Sequence, residues 1–156
     1  ILDNKVSRDQ AKLITLCALY GQSASNLKKS LPDDINPKHI IRKTRDFFDV
    51  RNLERMLQDQ MQEGSLRNAL GRPLIIPDGD TRLLISYFLQ SSAAELSILS
   101  FSNWYNENKE RARPLYVIHD ALIVDCNEQL GNELIKKETL TLNVGDWFFE
   151  AKVSRF

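Results

Sequence analysis

The chain has 156 residues, 42% hydrophobic and 27% charged, with 21 Lys and Arg balanced by 21 Asp and Glu. That composition supports a packed core of ordinary soluble type, and zero net charge argues against a free-standing basic nucleic-acid binder. No run reaches the roughly 18 uninterrupted apolar residues of a membrane span, and two cysteines are too few for a disulfide framework.

The charge is unevenly spread. Residues 1–82 hold 14 Lys and Arg against 11 Asp and Glu, a net of +3, and residues 83–156 hold 7 against 10, a net of −3. Cys17 falls inside an expected helix and Cys126 closes an apolar run. Both read as buried free thiols, which fits a reducing intracellular setting.

The first predicted element is a helix over residues 8–20. Ser7 followed by Gln10 forms a capping box, and Gly21 is a left-handed stop. Arg8, Lys12, Leu16 and Tyr20 recur every four residues. A step of four advances about 400°, so the four side chains share one face over about 18 Å. Two cations lead, an apolar side chain follows, and an aromatic hydroxyl comes last. The grading suits a ligand with a polyanionic tail and a flat apolar head, as in a nucleoside triphosphate, and the helix N-terminus beside Arg8 reinforces an anion site. An ordinary amphipathic helix with a solvated cationic edge would show the same periodicity.

Further along, Ser23 is placed to cap a short helix ending near Leu31, and Asn36-Pro37 is a helix start. Residues 38–63 contain neither Pro nor Gly and read as one or two helices stopped at Gly64. Short strand-like pieces flank Gly71, and the PDGD turn at 77–80 offers Asp80 as a cap for a long helix over 81–108. The run PLYVIHDALIVDC at 114–126 reads as a β-hairpin whose polar break presents Asp120 at the turn. A tight turn between two strands can fix a carboxylate for a metal ion, although Asp is also common in turns that bind nothing. Residues 127–138 are expected to be helical, and DWFFEAK at 146–152 a final strand.

The helix at 8–21 resembles motif B, the finger helix of polymerase I-like (family A) DNA polymerases, written R-x3-K-x3-[F/Y/L]-x3-Y-G. The likeness continues in the family's order. EGSLRNALGR at 63–72 is similar to the segment returning from fingers to palm, and TRLLISYFLQSSAAEL at 81–96 to the R-x7-Q-[G/S]-x-A-A-[D/E] helix. YVIHDALIVDC at 116–126 resembles motif C, with His119-Asp120 as its His-Asp pair, and VGDWFFEAK at 144–152 resembles the usual ending.

The resemblance implies an α+β fold, with fingers helices over 1–64 and a distal palm over 65–156 built on the hairpin. It implies template-directed DNA synthesis, in which deoxynucleotides are added to a primer 3′ end by two-metal phosphoryl transfer with Mg2+. Arg8 and Lys12 would contact the triphosphate, with Lys12 helping to protonate departing pyrophosphate. Leu16 would pack near base and sugar, while Tyr20 and Gly21 would flank the templating base. Arg82 and Gln90 would hold template and primer, and His119 would approach the primer terminus. Asp120 would bind metal.

Departures from the pattern are Leu16 for the commoner ring, Ser91-Ser92 for Gly-Thr, Glu95 for Asp, Ser86 for Asn, and Ala121 for the carboxylate after the His-Asp pair. They suit a phage-like or other mobile-element enzyme. Motif A, which carries the family's first metal-binding aspartate, is not found, and one aspartate cannot bridge two ions. The chain opens on Ile just before motif B. The expectation is therefore a C-terminal fragment, or one part of a split polymerase that needs an upstream segment or complementary chain. Its partners would be primer-template DNA and deoxynucleoside triphosphates, with no membrane. The alternative is a non-catalytic, polymerase-derived module that binds primer-template or serves a structural role.

Overall fold

The computed structural model describes residues 6–21, 23–118 and 120–155. The chain is α+β and divides into two compact units, Ile1–Gln90 and Ser91–Phe156.

The first unit is helical. Helix α1 spans Arg8–Tyr20 behind a complete capping box, in which the Gln10 N–H donates to Ser7 Oγ (3.2 Å) and the Ser7 N–H to Gln10 Oε1 (2.8 Å). It ends at Gly21 with φ 68°. Helix α2 is one short turn, Ala24–Lys28, capped by Ser23 as expected but stopping before Leu31. Helix α3, Pro37–Phe47, starts with Asn36 Oδ1 accepting from the N–H groups of Lys38 and His39. Helix α4, Val50–Gln62, follows after a break at Phe48–Asp49, where Asp49 is left-handed (φ 48°). Glu63 caps α4 and Gly64 turns the chain.

Two clusters hold this unit together. Ile14, Cys17, Leu27, Leu31 and Ile40 join α1, α2 and α3. Val50, Leu57, Leu66, Ile76, Leu84 and Ile85 join α4 to the segment after Gly64. The first unit runs on past Gly64, because Leu66 and Ile76 pack with Val50 and Leu57 of α4. Burial pushes the Cys17 thiol up, so it stays protonated and unreactive.

Around Gly71 (φ 86°) there is a single bridge between Arg67 and Pro73 rather than flanking strands. The organiser is Asn68, 5% exposed, whose Oδ1 accepts from the N–H groups of Leu70 (3.0 Å) and Arg72 (2.9 Å). Asn68→Ala would leave both donors without that acceptor and is expected to cost about 2 kcal/mol, readable as a lower midpoint in denaturant unfolding. Asp80 then accepts from the Arg82 N–H (3.0 Å) ahead of the long helix α5, Leu84–Asn108. By length and composition Thr81–Asn108 could cross a membrane, with 22% of its most apolar window buried.

In the second unit, strand β1 (Ala112–Ile118) pairs antiparallel with β2 (Ala121–Cys126). The register shifts between Pro114 and Tyr116, a bulge that accommodates a residue with no N–H to give. Helix α6 (Glu128–Lys137) is capped by Asn127. Strands β3 (Thr139–Val144) and β4 (Trp147–Lys152) form a second hairpin. Ala112, Leu130 and Leu134 make its core, with Trp104, Cys126, Leu140 and Val153 packed against them.

Candidate functional site

The α1 stripe lies clear of the core. Taking Arg8 as zero, 100° per residue puts Arg8, Lys12, Leu16 and Tyr20 at roughly 0° to 120° and Ile14, Cys17 and Ala18 at roughly 180° to 280°. Those three are the buried residues of α1, while Arg8 and Lys12 are exposed and Leu16 and Tyr20 half-buried. Neither Leu16 nor Tyr20 belongs to the packed clusters of this unit. Arg8 and Lys12 have no hydrogen-bond or ion-pair partner among the described residues. A helix whose core face is satisfied elsewhere thus carries two cations without a partner among the described residues, an aliphatic side chain and a phenol in one row.

The C-terminal end of α1 is anchored by a residue that sequence reasoning missed. Arg45 Nη1 donates to the Ala18 carbonyl (2.8 Å) and Nη2 to Glu54 Oε1 (2.6 Å), tying α1, α3 and α4 together. No periodicity announces this contact, since its partners lie 27 and 9 residues away. Gly21 follows directly, exposed and with φ 68°, a conformation that disfavours any side chain at that corner.

Arg82 and Gln90 both have local partners. The Arg82 guanidinium is held by the Asp80 carboxylate (Nη2–Oδ2 2.7 Å, Nε–Oδ1 2.9 Å), although 87% of its side chain is exposed. The Arg82 side-chain hydrogen bond, joined by its backbone N–H, keeps the Asp80 carboxyl below its usual range. Such an exposed pair is weak and can open for a phosphate. Gln90 is exposed, and its Nε2 donates to Ser86 Oγ (2.9 Å) one turn earlier.

In the second unit, Asp120 follows β1 in the turn before Ala121, the partner of Ile118 across the hairpin. It is exposed, and His119 lies outside the described residues. The hairpin packs at its open end, where Ala112 and Cys126 join Leu130 and Leu134, and β2 is mostly half-buried. Leu115, Tyr116, Val117 and Ile118 are 43–55% exposed, so both faces of β1 present apolar surface towards the turn. No known protein family matches this chain, and no curated protein matches it as a relative.

The donor set bears on magnesium. Among the described residues no three His, Cys, Asp or Glu side chains gather where they could hold an ion. The residue after Asp120 is Ala121, whose side chain offers no ligand. The residues present therefore do not fit a two-ion site by themselves.

On α6, a hydrogen bond from Arg111 Nη2 (2.8 Å) keeps Glu133 below its usual range. A lowered folded value contributes stability above the unfolded value, lost as pH falls through the folded one. Glu133→Gln is therefore expected to lose less stability than the parent on acidification below the ordinary glutamate range, as read by thermal melts across that range.

Proposed function

We propose that this chain supplies the fingers and distal palm of a template-directed DNA polymerase that adds deoxynucleotides to a primer 3′ end. The observation that carries the reading is the α1 row. Arg8 and Lys12 are exposed and have no partner among the described residues, and Leu16 and Tyr20 are half-buried and outside both packed clusters. In this reading Arg8 and Lys12 hold the triphosphate, Leu16 and Tyr20 border base and sugar, and Gly21 keeps the corner open to the template. Arg82, Gln90 and His119 would contact primer-template.

The exposed apolar surface of β1 supports the second element of the proposal, a complementary polymerase segment or chain. That segment would cover the apolar strands and bring the carboxylates that Asp120 lacks. Magnesium belongs to that assembled state, with Asp120 as this chain's ligand. In this reading the setting is intracellular, without a membrane partner.

A second reading is favoured by Ala121 and by the lack of a metal-holding cluster among the described residues: a non-catalytic module that binds primer-template or shapes a replication assembly. The deciding experiment is primer extension with Mg2+ by this chain mixed with a segment carrying thumb and motif A. Extension that depends on Asp120 and Lys12 supports the enzyme. DNA binding indifferent to both residues, to Mg2+ and to nucleotide supports the module.

A further inference from the structure

The +3 excess of residues 1–82 is concentrated in one short stretch. Residues 37–55 hold Lys38, Arg42, Lys43, Arg45, Arg51 and Arg55 against Asp46, Asp49 and Glu54, again a net of +3, and the remainder of 1–82 is neutral. These residues form α3, the Asp49 corner and the start of α4. On α3, Lys38, Arg42 and Arg45 recur at intervals of four and three, within about 60° of one another.

With Arg51 from α4 and Asp46 they line a cleft of about 270 Å³. Arg51 also lines a second cleft of about 440 Å³, with Asp49, Asn52 and Arg55. Lys38, Lys43 and Arg51 are exposed, with no hydrogen-bond or ion-pair partner among the described residues. Arg42 reaches only His39 Nδ1, at 3.4 Å.

At the corner beside the clefts, Phe47 and Phe48 project. They are 72% and 47% exposed and meet edge to face, with centroids 5.1 Å apart. The left-handed Asp49 that follows fixes the turn. An exposed aromatic pair adjoining concave cationic surface matches a strand that has both a polyanionic backbone and unstacked bases.

We propose that the α3–α4 corner binds single-stranded DNA, its phosphates in the clefts lined by Arg42 and Arg51 and a base stacked on Phe47. A duplex offers its phosphates but keeps its bases stacked inside, so it leaves Phe47 idle. A bilayer is flat and cannot enter the clefts, and Lys43, Asp46, Asp49 and Asn52 leave the phenylalanines without an aliphatic belt. The surface is separate from the α1 row. Only the choice of DNA over RNA rests on the polymerase reading.

The test is fluorescence anisotropy of the whole chain with a labelled oligothymidylate of about twelve nucleotides, without Mg2+ or nucleotide. Phe47→Ala is expected to weaken binding about tenfold, the size of one lost stacking contact, and to leave duplex binding unchanged. The double variant Arg42→Ala/Arg51→Ala is expected to weaken it at least about tenfold and flatten the salt dependence by about 1.4 in slope, as two lost phosphate contacts require. All three side chains are exposed, so melting curves should match the parent.

Oligothymidylate affinity unaffected by both variants would overturn the proposal. So would Phe47-dependent binding to phosphatidylserine vesicles with unchanged oligonucleotide affinity, which would make the corner a lipid surface. Lys12→Ala separates the two readings, since it is expected to alter triphosphate binding and not oligothymidylate binding.

Discussion

If the proposed polymerase assembly forms, Asp120→Asn is expected to abolish its primer extension, a fall of about 10³-fold in kcat, the scale at which loss of a charge-stabilising group acts. The substitution keeps the shape of the side chain and removes its charge. Asp120 is exposed and without a hydrogen-bond partner among the described residues, so stability should move by less than about 0.5 kcal/mol. Lost activity with an unchanged melt therefore reports on chemistry. Lys12→Ala should behave differently. In the proposed reading it removes a charge that would meet the triphosphate in both ground and transition state, so KM for nucleotide should rise along with a fall in kcat of about 10²-fold. Single-turnover extension with saturating nucleotide separates the two effects. Extension that survives Asp120→Asn would remove this chain from the reaction and favour the non-catalytic module.

Local signals in the sequence translated well into structure. Ser7 and Gln10 specify the start of α1 because both capping bonds lie within three residues, and Gly21 supplies the left-handed end. Asn36-Pro37 fixes the start of α3 in the same way. The break between α3 and α4 was harder to see, because Asp49 adopts a left-handed conformation that its neighbours do not announce. Strand β3 went unread, although Thr139-Leu140-Thr141-Leu142 alternates and Gly145-Asp146 is a hairpin turn.

The candidate site was legible as spacing and no further. Periodicity put Arg8, Lys12, Leu16 and Tyr20 on one face, but which face meets the core depends on Leu27 and Ile40, partners from elsewhere in the chain. The pairing of Arg82 with Asp80 follows from how the turn at 80–82 closes, which composition does not reveal. The apolar run Leu115–Ile118 reads as buried strand, yet it stands exposed, because apolarity records a need for cover without naming what supplies it.

Whether the α1 row is a site or part of the core can be decided by comparing two truncations. Leu57 is 0% exposed and sits among Val50, Leu66, Ile76, Leu84 and Ile85. Leu57→Ala removes transferred hydrocarbon and leaves a cavity that helices on several sides cannot close, and is expected to cost about 3 kcal/mol. For a domain stabilised by roughly 5–15 kcal/mol, that is a large share of the total. The denaturant midpoint should fall with an unchanged slope, since the surface exposed on unfolding hardly changes. Leu16 has the same side chain on a helix of the same unit, but it is half-buried and outside both clusters. Leu16→Ala should therefore cost under about 1 kcal/mol while lowering affinity for deoxynucleoside triphosphate. If the two truncations cost the same, Leu16 is core, and the row loses the half-buried apolar step between its cations and Tyr20 that the proposed nucleotide binding requires.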